Sequence, residues 1–433
     1  MEIFELGAAR QAALIRSREL SSREVVEAQL ARIAAVNDDF GALRVVLAEQ
    51  ALAAADAADR EPATGPLHGV PVSVKENIDV AGTATTWGTQ ALRQAVAPLD
   101  APVVANLKAA GAIVLARGTL PDFALRWHTE GVVNPVDPTR TAGGSSAGEA
   151  VAVATGMVAL GVGNDLGGSL RFPSQCCGTV ALRPTLGRVP DAGVIPTADV
   201  PLSRQLFNAQ GPIAREVDDL RLALAAMSAP SARDPWSVPA ALLDGPRRVR
   251  VAFPPDAEPG VEADVRAAAD ALADAGWEVD EGMPPAIDEA AQLWLELLMH
   301  DVRRDWPQME PIASEGARRF MTQALAAAPP PSPDAWTARR RIAREWAEHD
   351  GIYLTPICLR EPFAPGADLE EIEAVLASMR MVVPVNLLGL PAVAASGIQL
   401  IGPRFGEALC LAAGTDVQFS VASNTADRRS STV

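Results

Sequence analysis

Residues 69–75 read Gly69-Val70-Pro71-Val72-Ser73-Val74-Lys75, and Val at every second position marks a strand with one apolar face. Lys75 ends that strand on the opposite face. Downstream, residues 101–110 carry a helical pattern, Gly111 stops it, and Ala112-Ile113-Val114-Leu115-Ala116 is a second short strand. Strand, helix, strand in this order implies a parallel pair. The same grammar returns at Arg248 to Phe253, a helix over 261–275, a stop at Gly276 and a strand over 277–280. The expected fold class is therefore α/β: a single α/β/α domain whose central mixed, mainly parallel sheet is covered by helices.

Around this core, residues 8–36 show helical spacing, and Ser21 with Glu24 forms a capping box opening a helix through Ala35. Residues 326–333, Ala-Ala-Ala-Pro-Pro-Pro-Ser-Pro, read as an exposed connection. From about Thr415 the chain turns polar and Ser/Thr-rich, so a fraying tail is expected. The whole of 1–433 reads as one domain: N-terminal helices over 1–65, a core over 66–220, a further α/β part over 221–413 and a polar tail over 414–433.

A net charge of -17 argues against nucleic acid or an anionic membrane as partner, because phosphate binding rests on clustered Lys and Arg. The most apolar stretch, 150–163, is too short and too Gly-interrupted to span a bilayer and reads as buried core. The N-terminus lacks a basic start and an apolar run, so no signal peptide is expected. Four irregularly placed cysteines, Cys176, Cys177, Cys358 and Cys410, suit a reducing cytoplasm and read as small buried hydrophobes. No zinc-ligand spacing occurs, and neither a metal nor a cofactor is expected.

The chemistry concentrates between Thr141 and Arg171. Gly143-Gly144-Ser145-Ser146 and Gly167-Gly168-Ser169 are two Gly-Gly-Ser turns flanking one short apolar element. Glycines let successive backbone N–H groups converge on one point, as an oxyanion hole requires. A serine closing such a turn can attack a carbonyl held there, provided that a base takes its proton. His68, His128, His300 and His349 stand in no context that ties them to these turns, and His68 reads as structural. For Lys75, periodicity alone favours an edge strand with the side chain in solvent. The alternative is a buried lysine whose lowered pKa lets it accept a proton.

Several ordered motifs together resemble the amidase signature family of Ser/Ser/Lys amide hydrolases. They are Gly69 to Asp79, Gly143 to Glu149, Asp165 to Pro173, Cys177-Gly178, Arg183 to Arg188, Gln210 to Arg215 and Gln399 to Gly406. The resemblance implies Lys75 as base, Ser145 as bridging serine after a cis Gly144–Ser145 peptide, and Ser169 as nucleophile. It implies an oxyanion hole from the N–H groups of Leu166, Gly167, Gly168 and Ser169, with Asp165 and Arg171 as loop supports. Ser146 and Asn77 are further supporting candidates, and turn stabilisation explains them as well. The activity implied is hydrolysis of a linear amide through an acyl-enzyme, without cofactor, on a small-molecule amide, with a homodimer as a candidate assembly.

The chain departs from the family at Ala147, where Gly is usual, and at Asn164, where Thr or Ser is usual. It also looks contracted at 128–134 and at 390–399, where the turn normally joining two strands is missing. Trp87, Trp127 and Phe172 are candidates for an apolar acyl pocket, with plain core packing as the alternative, and an aryl or alkyl amide is the expected substrate. Gly144-Ser145-Ser146-Ala147-Gly148 also fits a G-x-S-x-G elbow with Ser146 as nucleophile, but turn-rich residues precede it where a strand is required. The remaining alternatives are a glutamine-hydrolysing amidotransferase subunit, an esterase or acyl transferase of the same family, and a non-catalytic amide-binding descendant.

Overall fold

The computed structural model describes residues 2–196 and 199–430. Among these, β1 (Leu43–Val46), β2 (Pro71–Lys75), β3 (Ile113–Gly118), β4 (Leu160–Asn164), β5 (Val180–Arg183), β6 (Gln210–Ala214), β7 (Arg248–Val251), β8 (Glu278–Glu281), β9 (Ile352–Pro356), β10 (Ala392–Ala395) and β11 (Ile398–Ile401) form one sheet. Its order is β1-β3-β2-β4-β6-β5-β10-β11-β9-β7-β8. Each segment read as strand-helix-strand supplies one parallel pair, β2 with β3 and β7 with β8, and a strand from elsewhere in the chain adds a second, β4 beside β2 and β9 beside β7.

The remaining pairings are antiparallel, so the sheet is mixed with its parallel parts towards the two ends. This antiparallel middle was not visible in the sequence. Its shortest connection is the β10–β11 hairpin, where Ala395 pairs with Ile398 across Ser396 and Gly397 alone. Both turn residues have positive φ, +49° and +83°, as a two-residue hairpin that follows the strand twist demands. The turn that seemed missing from 390–399 is thus present in its tightest form.

Alternation along the strands builds two cores. Val72 and Val74 of β2, Val114 of β3 and Val162 of β4 point to one face with the apolar sides of helices from both ends of the chain. Ile113 and Leu115 point to the other, where the helix Ala147–Ala154 and the long helix Ile287–Met309 pack. Helices cover both faces, giving the expected layers.

Local signals set several boundaries. The Ser21–Glu24 capping box is formed, and its helix runs from Ser22 to Phe40 before Gly41 ends it. The Pro-rich connection begins after the helix Glu315–Ala327. The helix Glu407–Ser430 runs through the polar residues after Gly414, and Leu411, Ala413 and Val417 are buried in its first half. Residues 431–433 of the expected tail lie outside the described residues. No described helix is long and apolar enough to cross a membrane.

Candidate active site

β2 and β4 run parallel, with Val74 opposite Val162, so their C-terminal ends bring Lys75 and Asn164 side by side. Crevices beyond the carboxyl ends of parallel strands are where open α/β sheets place ligands. β2 is flanked on both sides, so Lys75 is not on an edge, and its side chain is 0% exposed. Periodicity had favoured the solvent-facing reading. It failed because the face that Ser73 and Lys75 share is covered by the helix Ala147–Ala154, which no pattern within the strand can reveal.

Lys75 Nζ lies 2.8 Å from Ser145 Oγ, 2.9 Å from Ser146 Oγ and 2.9 Å from Asn164 Oδ1. Asn164 is oriented in turn by donating from Nδ2 to Asn77 Oδ1 at 3.0 Å. An amide oxygen only accepts, so a neutral Lys75 donates to Asn164 and keeps its lone pair for a serine O–H. Burial pushes the Lys75 ammonium down to about 7, against the carboxylates of Glu149 and Asp165, which act to hold it up.

The Gly144–Ser145 peptide is cis, and Ser146 stands at the N-cap position of the helix Ala147–Ala154 without a side-chain capping bond. The hydrogen-bond chain from Lys75 ends at Ser145. Ser169 is tied to the same corner through its main chain, whose carbonyl accepts from Ser146 N–H at 3.3 Å. Of the three, Ser169 is the most exposed at 7%, against 1% for Ser145. Ala147 is fully buried within its helix, where a methyl group fits the right-handed backbone.

The loop between Asp165 and Ser169 is held from beneath by charge. Asp165 takes two bonds from Arg171, both at 2.9 Å, and accepts from the N–H groups of Gly168 at 2.8 Å and Leu170 at 3.2 Å. Arg171 further donates to Val382 O, Gln399 Oε1 and Asn386 Oδ1, so all five of its N–H groups have acceptors. Burial by itself would raise the Asp165 carboxyl, but the Arg171 guanidinium, with Arg183 and Asn386, holds it well below the usual carboxylate range.

Because Gly168 N–H is committed to Asp165, it leaves the set of four oxyanion donors expected from the sequence. The N–H groups of Leu166, Gly167 and Ser169 have no acceptor among the described residues. Gly168 has φ +94°, and a Cβ there would meet the two Val382 methyl groups at 3.0 Å. Conformation and space both require glycine.

Trp127 lines a cavity of about 470 Å³ with Trp294, Leu295, Leu376, Met379 and Val383. Its indole N–H donates to Gly167 O at 2.8 Å. Trp87 and Phe172, the other pocket candidates, do not line it. The Trp87 N–H donates to Ile195 O, and the Arg204 guanidinium stacks 4.4 Å from its ring. Phe172 is fully buried and stacks on Phe363 with ring centroids 5.4 Å apart.

The histidines stay apart from this chemistry: His68 bonds Ala58 O, His128 bonds Thr141 and His349 bonds Ile352 O. The G-x-S-x-G reading lacks its geometry, since Ser146 follows no strand and its partners are Lys75 and Asn164. The four cysteines are buried.

Sequence reading did not anticipate Glu149, Trp294, Asn386 or the tie from Gln399 to Arg171. Glu149 is fully buried without a partner for either oxygen among the described residues, and burial pushes it up to about 8. A lone acid in the apolar run Ala147 to Ala154 was its signal. Asn386 and Trp294 come from distant segments with no local mark.

The family model described as Amidase matches residues 24–411. An indoleacetamide hydrolase of Bradyrhizobium diazoefficiens is 37% identical over 96% of this chain and 86% of that one. A glutamyl-tRNA(Gln) amidotransferase subunit from Chloroflexus aurantiacus is 31% identical over 96% and 97% of the two chains. In fold, the chain resembles a solved 6-aminohexanoate cyclic dimer hydrolase, with a TM-score of 0.82 at 24% identity over 97% of this chain and 98% of that one.

Proposed function

The chain belongs to the amidase signature family, and from that premise we propose that it hydrolyses a carboxylic amide through an acyl-enzyme on Ser169. The observation that carries this reading is the buried Lys75 2.8 Å from Ser145, with Ser169 joined to the same corner through its main-chain carbonyl.

Neutral Lys75 takes the proton of Ser145 as Ser145 takes that of Ser169, and Ser169 Oγ bonds to the carbonyl carbon. The Ser145–Ser169 contact, not made in the resting geometry, closes when the substrate arrives. The oxyanion that forms is met by the free N–H groups of Leu166, Gly167 and Ser169. The proton returns through Ser145 to the nitrogen, the C–N bond breaks, and amine or ammonia leaves. Water then repeats the sequence on the ester and releases the carboxylate.

The substrate class we propose is a small aryl or alkyl amide of linear type. Support comes from the indoleacetamide hydrolase relative. Glutamine hydrolysis, as in the amidotransferase relatives, is the less favoured reading, because those relatives are less similar over comparable length.

Ammonia release from phenylacetamide, indole-3-acetamide, hexanamide and glutamine tests this. Turnover of an aryl or alkyl amide that disappears in Ser169→Ala supports the reading. Turnover of glutamine alone, or activity that survives Ser169→Ala, rejects it.

A further inference from the structure

Three N–H groups of the main chain between Asp165 and Ser169 have no acceptor among the described residues, and the carbonyl ahead of each one explains why. In a trans peptide the C=O and the following N–H point in opposite directions, so a partner that fixes the oxygen fixes the hydrogen as well. Asp165 O accepts from Asn386 Nδ2 at 2.8 Å, which aims Leu166 N–H away from it. Gly168 O accepts from Phe172 N–H at 2.8 Å, in the first turn of the helix Arg171–Cys177, which aims Ser169 N–H.

The central peptide, Leu166–Gly167, has its oxygen held by the indole N–H of Trp294 at 2.9 Å. Its N–H, on Gly167, has no acceptor among the described residues. Trp294 also packs against this residue, since a Cβ on Gly167 would come within 2.5 Å of the ring. The next peptide, Gly167–Gly168, differs: Trp127 holds its oxygen and Asp165 holds its N–H, so it is pinned at both ends.

We propose that Trp294 is a positioning residue for the reaction: through Leu166 O it sets the plane of the one oxyanion-loop peptide whose donor, Gly167 N–H, nothing else orients. The same indole walls the 470 Å³ cavity. That cavity is lined by no residue of the Asp165–Ser169 loop, so the role of Trp294 stands on its bond to Leu166 O and its packing on Gly167. Trp127 walls the cavity too, but its indole N–H duplicates a restraint that Asp165 already provides.

This rests on the acyl-enzyme reading, and the test separates the two. Wild type, Trp294→Phe and Trp127→Phe are compared on whichever panel amide wild type turns over fastest. Each is also titrated with the matching aldehyde, which forms a tetrahedral adduct on a serine, and with the matching carboxylate. Phenylalanine keeps an aromatic face and removes the N–H.

For Trp294→Phe, kcat falls about 10- to 100-fold, KM changes by less than about threefold, and aldehyde affinity falls with kcat/KM while carboxylate affinity holds. Trp127→Phe loses only about a few-fold in kcat, because its peptide remains held at the other end. Loss confined to KM, or equal losses in the two variants, overturns the proposal by making both indoles mere cavity wall. If Trp294→Phe does not fold, benzothienylalanine at position 294, which matches the indole shape without its N–H, decides between the same outcomes. A wild type that forms no Ser169 adduct at all rejects the acyl-enzyme reading itself, whereas a labelled Ser169 with wild-type kcat in both variants rejects only the role of Trp294.

Discussion

Lys75 Nζ and Ser145 Oγ stand 2.8 Å apart in a space where neither side chain reaches solvent, with Lys75 0% and Ser145 1% exposed. An ammonium is costly there, and a neutral amine beside a hydroxyl is what proton abstraction needs.

The first expected outcome is a pH profile. In the proposed mechanism Lys75 must be neutral to act, and burial pushes its pKa down to about 7. Log kcat/KM therefore rises with unit slope up to about pH 7 and levels above it. A profile that is flat from pH 5 to 9 would count against Lys75 as base. Lys75→Ala should lower kcat/KM by about 10³-fold or more while circular dichroism stays unchanged.

The two serines within reach of Lys75 should separate sharply. Ser145→Ala loses about 10²- to 10⁴-fold in kcat, because the relay is cut. Ser146→Ala loses its bonds from Lys75 and to Asn164 O, about 1 kcal/mol each, and so falls by about 30-fold at most. Steady-state kinetics on the same amide measures both, and the reverse order would revive Ser146 as the reacting serine.

Glu149 gives a stability test with a definite sign. Its carboxyl is raised from 4.5 to about 8, chiefly by burial, so the folded chain holds a proton that the unfolded chain has lost between those values. Stability falls as pH climbs through that window. Glu149→Gln removes the liability, so its melting temperature relative to wild type should be higher at pH 9 than at pH 5. Differential scanning fluorimetry at the two pH values reads this, and an opposite trend would mean that Glu149 is charged and paired with Lys75 throughout.

Asp165→Ala leaves Arg171 buried beside an uncompensated gap. A loss of about 3–5 kcal/mol is expected, read as a shift of the urea midpoint. Gly168→Ala acts locally instead: φ +94° is strained for alanine, and the Val382 methyl groups block its Cβ. A cost of about 1–3 kcal/mol and a fall in kcat of more than about 10-fold should follow, in proportion to displacement of the oxyanion loop.

How far the sequence could be read follows from the range of each interaction. Strand alternation at 70–75 and the Gly-Gly-Ser turns are local, and they marked β2 and both serines. The layered α/β class followed from the order of the elements. Beyond the motifs, the burial of Lys75 depended on a helix more than 70 positions away, and periodicity pointed to the wrong environment. The Arg171 acceptors Asn386 and Gln399, and the Trp294 indole, lie on segments that meet the site only after the sheet closes. The antiparallel middle was hidden for a related reason: β10 and β11 are four residues each with a two-residue turn, too short for alternation to stand out.

The central claim, that Ser169 is the nucleophile, is tested most directly by reacting the protein with a fluorophosphonate and locating the adduct by peptide mass spectrometry. One adduct on Ser169, absent in Ser169→Ala and strongly slowed in Lys75→Ala, is the expected result. An adduct on Ser146 or Ser145, or labelling that survives Ser169→Ala, would contradict it.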